Sequence, residues 1–472
     1  MNITERIRYL ETIASDLTLG KKLSDHWVGL NAILQGIPEK QLQELIPKLI
    51  NGQNTITLCM KETISTRVSQ ADFRTEAKID SHGIWRINGE KICHNNSGYF
   101  LVLAMMEARR VSAFLVTPDA QGVQFEQPCI AFRDTPGIPL EQISEEALTS
   151  ILGLSRLDTA VLSYSLLKSN ILKTVNYVRG KFVTGKPLAD ASTVQARVGQ
   201  ALLSVYGAES MTYFTAGLLD GYYDPDADME MAMCRSFTTD NCQESLGNLL
   251  VVPGLEAIDK SWSSAIDQFR NLALHDEIID NINIYIALNG LQHAGKKLVT
   301  DVKQMRNPLF HPTYILKKVL ADRHQESDNP KLVLHLAEHL HPTLKQPAEN
   351  LEYCVLRLKY ACETLLSRHG AQVVTAFTEL DRLARAATLV LAMTAVLARA
   401  SRSYCIGLRN AEIEMKLAAC FVEANRQIVQ KTVNDLVDGE YLNLDHFKIG
   451  FGKKILDTST LLVEKPTERV FW

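Results

Sequence analysis

Long hydrophobic runs are missing from this sequence. The longest uncharged apolar stretch, between Arg385 and Arg399, holds 13 residues, about 20 Å as a helix against a hydrocarbon core of about 30 Å, so no segment is expected to cross a membrane. An excess of one charge is missing as well: 50 Lys and Arg face 54 Asp and Glu, a net charge of -4, without a long block of one sign. That balance argues against polyanion binding and leaves no nucleic-acid partner. None of the nine cysteines forms a C-x-x-C pair and their number is odd, which argues against a disulfide framework and for free, buried thiols in a reducing compartment. The first twenty residues carry Glu5, Arg6, Arg8, Glu11 and Asp16 without an apolar core segment, so neither a secretory signal nor a transit peptide is expected there. What remains is a globular chain of 472 residues, 46% hydrophobic and 22% charged, sufficient for roughly two to four domains.

Residues 1–54 read as helical pieces ending at Asn51-Gly52, because Leu42, Leu45, Ile46 and Leu49 recur at i, i+3, i+4 and i+7. Residues 55–143 read as a small β domain. Ile84, Trp85 and Ile87 lead through an expected turn at Asn88-Gly89 into Lys91-Ile92-Cys93, and Phe100 to Leu103 and Phe114 to Val116 are short β-prone runs. Helical spacing returns over 144–305, with Val194, Val198, Leu202 and Val205 on one expected face and Pro187, Pro225 and Pro253 in loops. Residues 306–349 form a Pro- and His-rich connection, with Pro308, Pro312, Pro330, Pro342 and Pro347, before a second helical block over 350–472.

Three stretches carry a recognisable pattern: Glu209 to Gly217 (ESMTYFTAG), Tyr285 to Gly295 (YIALNGLQHAG) and Met393 to Ser403 (MTAVLARASRS). In this order they resemble the acyl-CoA dehydrogenase family, in the branch that pairs the very-long-chain enzyme with a mitochondrial complex I assembly factor. The resemblance runs from His26-Trp27-Val28-Gly29-Leu30 to the last helical block, with most of the family's N-terminal helical domain missing. It implies a mainly α fold with a central β-barrel: N-terminal helices, barrel, four-helix bundle and an extra C-terminal helical domain. It also implies a homodimer in the mitochondrial matrix, beside the inner membrane and in peripheral contact with it, and, at the sites, a carboxylate base and FAD.

Residue by residue, those sites are altered. Counting back from Tyr285 without gaps places Asp276 on the family's Glu base, one methylene short, while Glu277 stands on its glycine and offers the alternative carboxylate. The family's Thr-Glu-Pro-x-x-Gly-Ser-Asp corresponds to Lys61 through Val68, and its Trp-Ile-Thr-Asn-Gly to Cys93-His94-Asn95-Asn96-Ser97, so the ring and hydroxyl that meet the flavin are replaced. On the adenine side, Arg-x-Gln-Phe falls on Lys181, Val183 and Thr184, and the glycine-rich stretch falls near Leu249, Val252, Pro253 and Leu255. Five losses in one site point to a pseudoenzyme without a cofactor, acting as a scaffold with other complex I assembly factors. The alternatives are an FAD-dependent long-chain acyl-CoA dehydrogenase using Asp276 or Glu277, and a flavin-free acyl-CoA binding module.

Other features read plainly. His335, His339 and His341 with Glu338 offer an i, i+4 imidazole pair but no fourth ligand of fixed spacing, so no metal site is expected. Arg399, Arg402 and Arg409 suit intrachain ion pairs and helix-end charges, or else a partner's carboxylates or lipid phosphates. Cys59 and Cys93 suit space-filling thiols, and Met229, Met231 and Met233 alternate and so cannot share one helix face. Gly217 and Gly295 are expected at close helix contacts.

Overall fold

The computed structural model describes all residues except 1, 53, 64–72, 94–97, 108–109, 127, 224, 274–278, 308, 327 and 469–472. The chain divides into two compact units, Met1–Ile286 with Leu391–Phe421, and Ala287–Val390 with Val422–Trp472, whose boundaries fall inside helices.

The first unit opens with α1 (Ile3–Ile13), α2 (Leu17–Gly36) and α3 (Glu39–Ile50). Side-chain oxygens of Asn2 and Asp16 accept the free N–H groups of Glu5 and Leu19 and so start the first two helices. Arg6 of α1 is buried in an ion pair with Asp158, whose carboxylate also accepts from Ser24. Seven strands follow: β1 (Ile56–Cys59), β2 (Glu76–Ile79), β3 (Trp85–Ile92), β4 (Tyr99–Met105), β5 (Val111–Val116), β6 (Val123–Glu126) and β7 (Cys129–Pro139). The order β4-β2-β3-β7-β5 closes because β5 pairs back onto β4, and β1 and β6 are added at β4 and β7. β4 reads as an unbroken apolar run because both its faces are covered. Leu101 and Leu103 join a core with Val28, Ile33 and Ile56, while Phe100 and Val102 join the barrel interior with Phe114 and Phe132.

The expected turn at Asn88-Gly89 is absent; both residues lie inside β3, where the pairing with β7 shifts register. The chain reverses earlier, at Asp80 to Ile84, where the Asp80 carboxylate accepts from the backbone N–H groups of His82 and Ile84. Gly89 answers a packing demand rather than a turn, since a Cβ there would stand 2.6 Å from the Cα of Thr75.

The bundle contains α4 (Glu145–Val178), the hairpin β8 (Phe182–Val183) and β9 (Lys186–Pro187), α5 (Ser192–Gly221), α6 (Asp228–Leu250), α7 (Lys260–Ala273) and α8 (Ile279–Arg306). Helices α4, α5 and α6 pack on one another and α7 on α4 and α6. Of the face expected on α5, Val194 and Val205 are buried but Leu202 is exposed. Within 306–349 the proposed loop holds a helix, α9 (Pro312–Glu326); Pro312 sits at its start, where a missing N–H costs nothing, and no proline follows within it. The chain ends with α10 (Lys345–His369), α11 (Phe377–Cys405), α12 (Ala411–Leu442) and α13 (Asp445–Thr458). Among the described residues α11 alone is long and apolar enough to cross a membrane, and most of that window is buried. In the second unit Arg357 of α10 bridges Asp328 and Asn434, and Arg382 of α11 pairs with Asp445.

Candidate functional site

Asp276, Glu277 and Asn95 lie outside the described residues. The helix ends that border the first two are fixed by α6: Arg235 donates to the carbonyl of Ala273 at 2.5 Å, and Ser236 donates to Asn283 at 2.7 Å. Cys93 is fully buried in the barrel interior beside Cys59. Burial first, then the contact with Cys93, raises the Cys59 thiol's pKa, so it stays protonated and unreactive. Lys91, also fully buried, pairs with Glu62 at 2.8 Å, and its ammonium lies 4.4 Å from the ring centre of Phe73. Burial lowers its pKa and Glu62 opposes that shift. Glu62 further accepts from the backbone and hydroxyl of Thr75.

On the bundle, the structure brings the Lys181 and Pro253 segments together: Lys181 Nζ meets Glu256 Oε1 at 2.7 Å. The hydrogen bond to Glu256 raises the Lys181 pKa and lowers that of Glu256. Val183 and Leu255 beside them are exposed aliphatic residues, and Pro253 is buried.

Two of the three recognised stretches meet at a polar network in the first unit. Glu209 of α5 accepts from Lys168 of α4 at 2.5 Å and from Arg399 of α11 at 2.7 Å. Arg399 also reaches Glu414 at 3.4 Å and lies over the ring of Tyr206. Glu414 accepts from Tyr206 and Ser403, while Glu11 accepts from Tyr164, Lys168 and Tyr213. Burial alone would raise the Glu209 pKa, but Lys168 and Arg399 hold it below the usual carboxylate value. The reading of Arg399 as an intrachain ion-pair residue therefore holds, whereas Arg402 and Arg409 are exposed. Lys168, Glu11 and Glu414 lie outside the recognised stretches, and nothing in their spacing marks them. Above the network a groove of about 440 Å³ opens between α4, α5 and the first turns of α12.

Two expectations need correction. Cys405 and Cys420 are exposed, at the end of α11 and on the outer side of α12, so the thiols are not all buried. A Cβ on Gly217 or Gly295 would meet nothing within 4 Å, whereas one on Gly207 would stand 2.5 Å from the ring of Phe421, so the close helix contact is at Gly207. His335 precedes and His339 ends a short 3-10 turn, Leu336–His339, with His335 3.8 Å from Glu338, and no grouping of His, Cys, Asp or Glu among the described residues could hold a metal ion.

The family model "Acyl-CoA dehydrogenase, C-terminal domain" matches residues 146–279, and "ACAD9/ACADV, C-terminal domain" matches residues 342–461. The very long-chain specific acyl-CoA dehydrogenases of Macaca fascicularis and Homo sapiens, both mitochondrial, are each 24% identical over 455 residues, covering 88% of this chain and 68% of theirs. The chain is related to the acyl-CoA dehydrogenases. Its fold is theirs: an acyl-CoA dehydrogenase complexed with FAD from Bacillus anthracis superposes with a TM-score of 0.70 at 14% identity, covering 93% of this chain and 77% of that one. Butyryl-CoA dehydrogenase from Megasphaera elsdenii gives a TM-score of 0.56 at 15% identity over 61% and 82%.

An acyl-CoA dehydrogenase fold raises the question of whether these residues suit a flavin. The described ones do not. The Cys93 side chain, which the resemblance sets against the stacking ring, is enclosed in the barrel and presents no surface to a ligand. The Lys181 charge is matched by Glu256 instead of standing ready for a phosphate, and Val183 and Leu255 offer no polar side-chain group.

Proposed function

We propose that this chain is a catalytically silent member of the acyl-CoA dehydrogenase fold, acting as a scaffold in the assembly of respiratory complex I. The observation that carries the silent reading is the enclosed Cys93, since redox chemistry in this fold depends on a flavin held against the barrel. The assembly role rests on the resemblance of the recognised stretches and on the match of residues 342–461 to the ACAD9/ACADV C-terminal domain. The mitochondrial relatives support a mitochondrial location, and the proposal places the chain in the matrix, beside the inner membrane.

The test is complementation of a null cell line. Asp276→Ala and Glu277→Ala should restore assembled complex I as well as the unaltered chain does, because a scaffold works through packing and surface. Loss of assembly with Asp276→Ala at normal protein abundance would mean that chemistry carries the function, since truncating a general base removes about 100- to 10,000-fold in rate.

A second reading, an FAD-dependent acyl-CoA dehydrogenase for long chains, is favoured by the very-long-chain relatives and by neighbours solved with FAD. Purified protein separates the two. Absorbance near about 450 nm reports a bound flavin, and FAD at a hundred times its Kd would stabilise the fold by about 2.7 kcal/mol. A colourless protein whose melting temperature does not move with FAD is expected; a clear upward shift supports the enzyme. A colourless protein stabilised by acyl-CoA alone would mark a flavin-free acyl-CoA binding module.

A further inference from the structure

We infer that Asn51-Gly52 is a site of spontaneous covalent modification, at which the side-chain amide is lost and isoaspartate and aspartate form. The chain holds three Asn-Gly pairs, Asn51-Gly52, Asn88-Gly89 and Asn289-Gly290, and the fold treats them differently. In the reaction the backbone nitrogen of Gly52 attacks Cγ of Asn51. A nitrogen–carbon bond forms, the Cγ–Nδ2 bond breaks, and the amide leaves as ammonia with the proton that the backbone nitrogen gives up. The product is a cyclic succinimide. Water then opens the ring. Attack at Cγ gives aspartate, whereas attack at the backbone carbonyl gives isoaspartate, in which the main chain runs through the side-chain carbons. No oxidant or enzyme is needed.

The attack needs a following residue with no side chain to obstruct it, and a peptide unit free to rotate until its nitrogen faces Cγ. Glycine meets the first need at all three pairs, and the fold decides the second. Asn51 ends α3 with φ −75° and ψ −1°, and Gly52 follows at φ +75°. Both are exposed, and a Cβ on Gly52 would meet nothing within 4 Å, so the peptide between them rotates into solvent and not into a neighbour. Asn88-Gly89 lies inside β3. Asn88 pairs with Glu76 of β2 and Gly89 with Phe132 of β7, while Asn88 Oδ1 accepts from the backbone N–H of Asp134 at 2.8 Å. Rotation there requires the strand to open first. Asn289-Gly290 lies inside α8, where each N–H is held by the turn before it. The cost of local opening slows the reaction at these two pairs in proportion to the rarity of the open state.

The change falls at a sensitive joint. A carboxylate at Asn51 stands at the negative end of the α3 dipole. Isoaspartate also adds one carbon to the main chain of the link between Ile50, the end of α3, and Ile56, the start of β1. Leu45 and Leu49 of α3 share a core with Ile56, so the link joins two elements packed against each other. The isoaspartyl carboxylate is, in addition, the group to which isoaspartyl methyltransferases pass the methyl of S-adenosylmethionine, which supplies a readout.

Incubation of the folded full chain at mildly alkaline pH, followed by peptide mapping with mass spectrometry, tests the inference. The peptide with Asn51 should gain the mass of an amide-to-acid exchange at least about tenfold faster than the peptides with Asn88 and Asn289. It should also accept labelled methyl groups from S-adenosylmethionine and an isoaspartyl methyltransferase. In concentrated urea all three pairs should react at similar rates, close to that of Asn51 in the folded chain. Asn51→Gln, an exposed change, should abolish the fast methyl acceptance with the far-UV circular dichroism unchanged. Equal rates at the three pairs in the folded chain would overturn the inference. So would an Asn51 as protected relative to urea as the other two, or fast methyl acceptance that survives Asn51→Gln.

Discussion

Glu209 shows how one residue can belong to a recognised stretch and still serve packing first. Two cations hold its pKa below the usual carboxylate value against the cost of burial. A depressed folded-state pKa means that the pair stabilises the fold above the unfolded value of about 4.3 and that this stability is lost as pH falls through the folded value. Glu209→Gln should therefore cost about 1 to 3 kcal/mol at pH 7, and the cost should shrink as pH is lowered below about 4. Urea unfolding of both proteins across that range checks it; a pH-independent difference would show that Glu209 acts only through shape. Cys93 gives the opposite lesson. Its departure from the family's ring is plain in the sequence, but that its thiol turns into the barrel beside Cys59 is visible only once β3 and β1 share one interior.

At the scale of elements, helix content and the apolar β runs were readable because period and propensity agree with the fold. Where they misled, a distant neighbour decided. Asn88-Gly89 has the signature of a hairpin turn, yet Gly89 lies within β3 because Thr75 passes too close for a Cβ. Pro312 suggested a connection, yet proline at a helix start is compatible with α9. The glycines of α5 give a direct contrast. Gly207→Ala should destabilise by about 1 to 3 kcal/mol through overpacking against Phe421 and Phe237. Gly217→Ala, where a Cβ meets nothing within 4 Å, should be neutral or stabilising by up to about 1 kcal/mol from helix propensity. The denaturant midpoint of Gly207→Ala should fall below that of the unaltered chain, and that of Gly217→Ala should not.

For the whole molecule, the expectation is a homodimer, drawn from the resemblance and from bundle helices whose recognised stretches are retained. Multi-angle light scattering should give twice the chain mass of 52.7 kDa. A value of 52.7 kDa that does not rise with concentration would sink the dimer.

The sequence by itself determined the order of helices, barrel and helices and the kinship with acyl-CoA dehydrogenases, because these depend on local period and on residue identity at fixed offsets. The tertiary structure decided which glycine is a close contact, which cysteines are enclosed, and how Lys168, Glu209, Arg399 and Glu414 form one network from four helices. Such pairings depend on residues up to two hundred positions apart, and no local pattern records which side chains will meet once the helices pack.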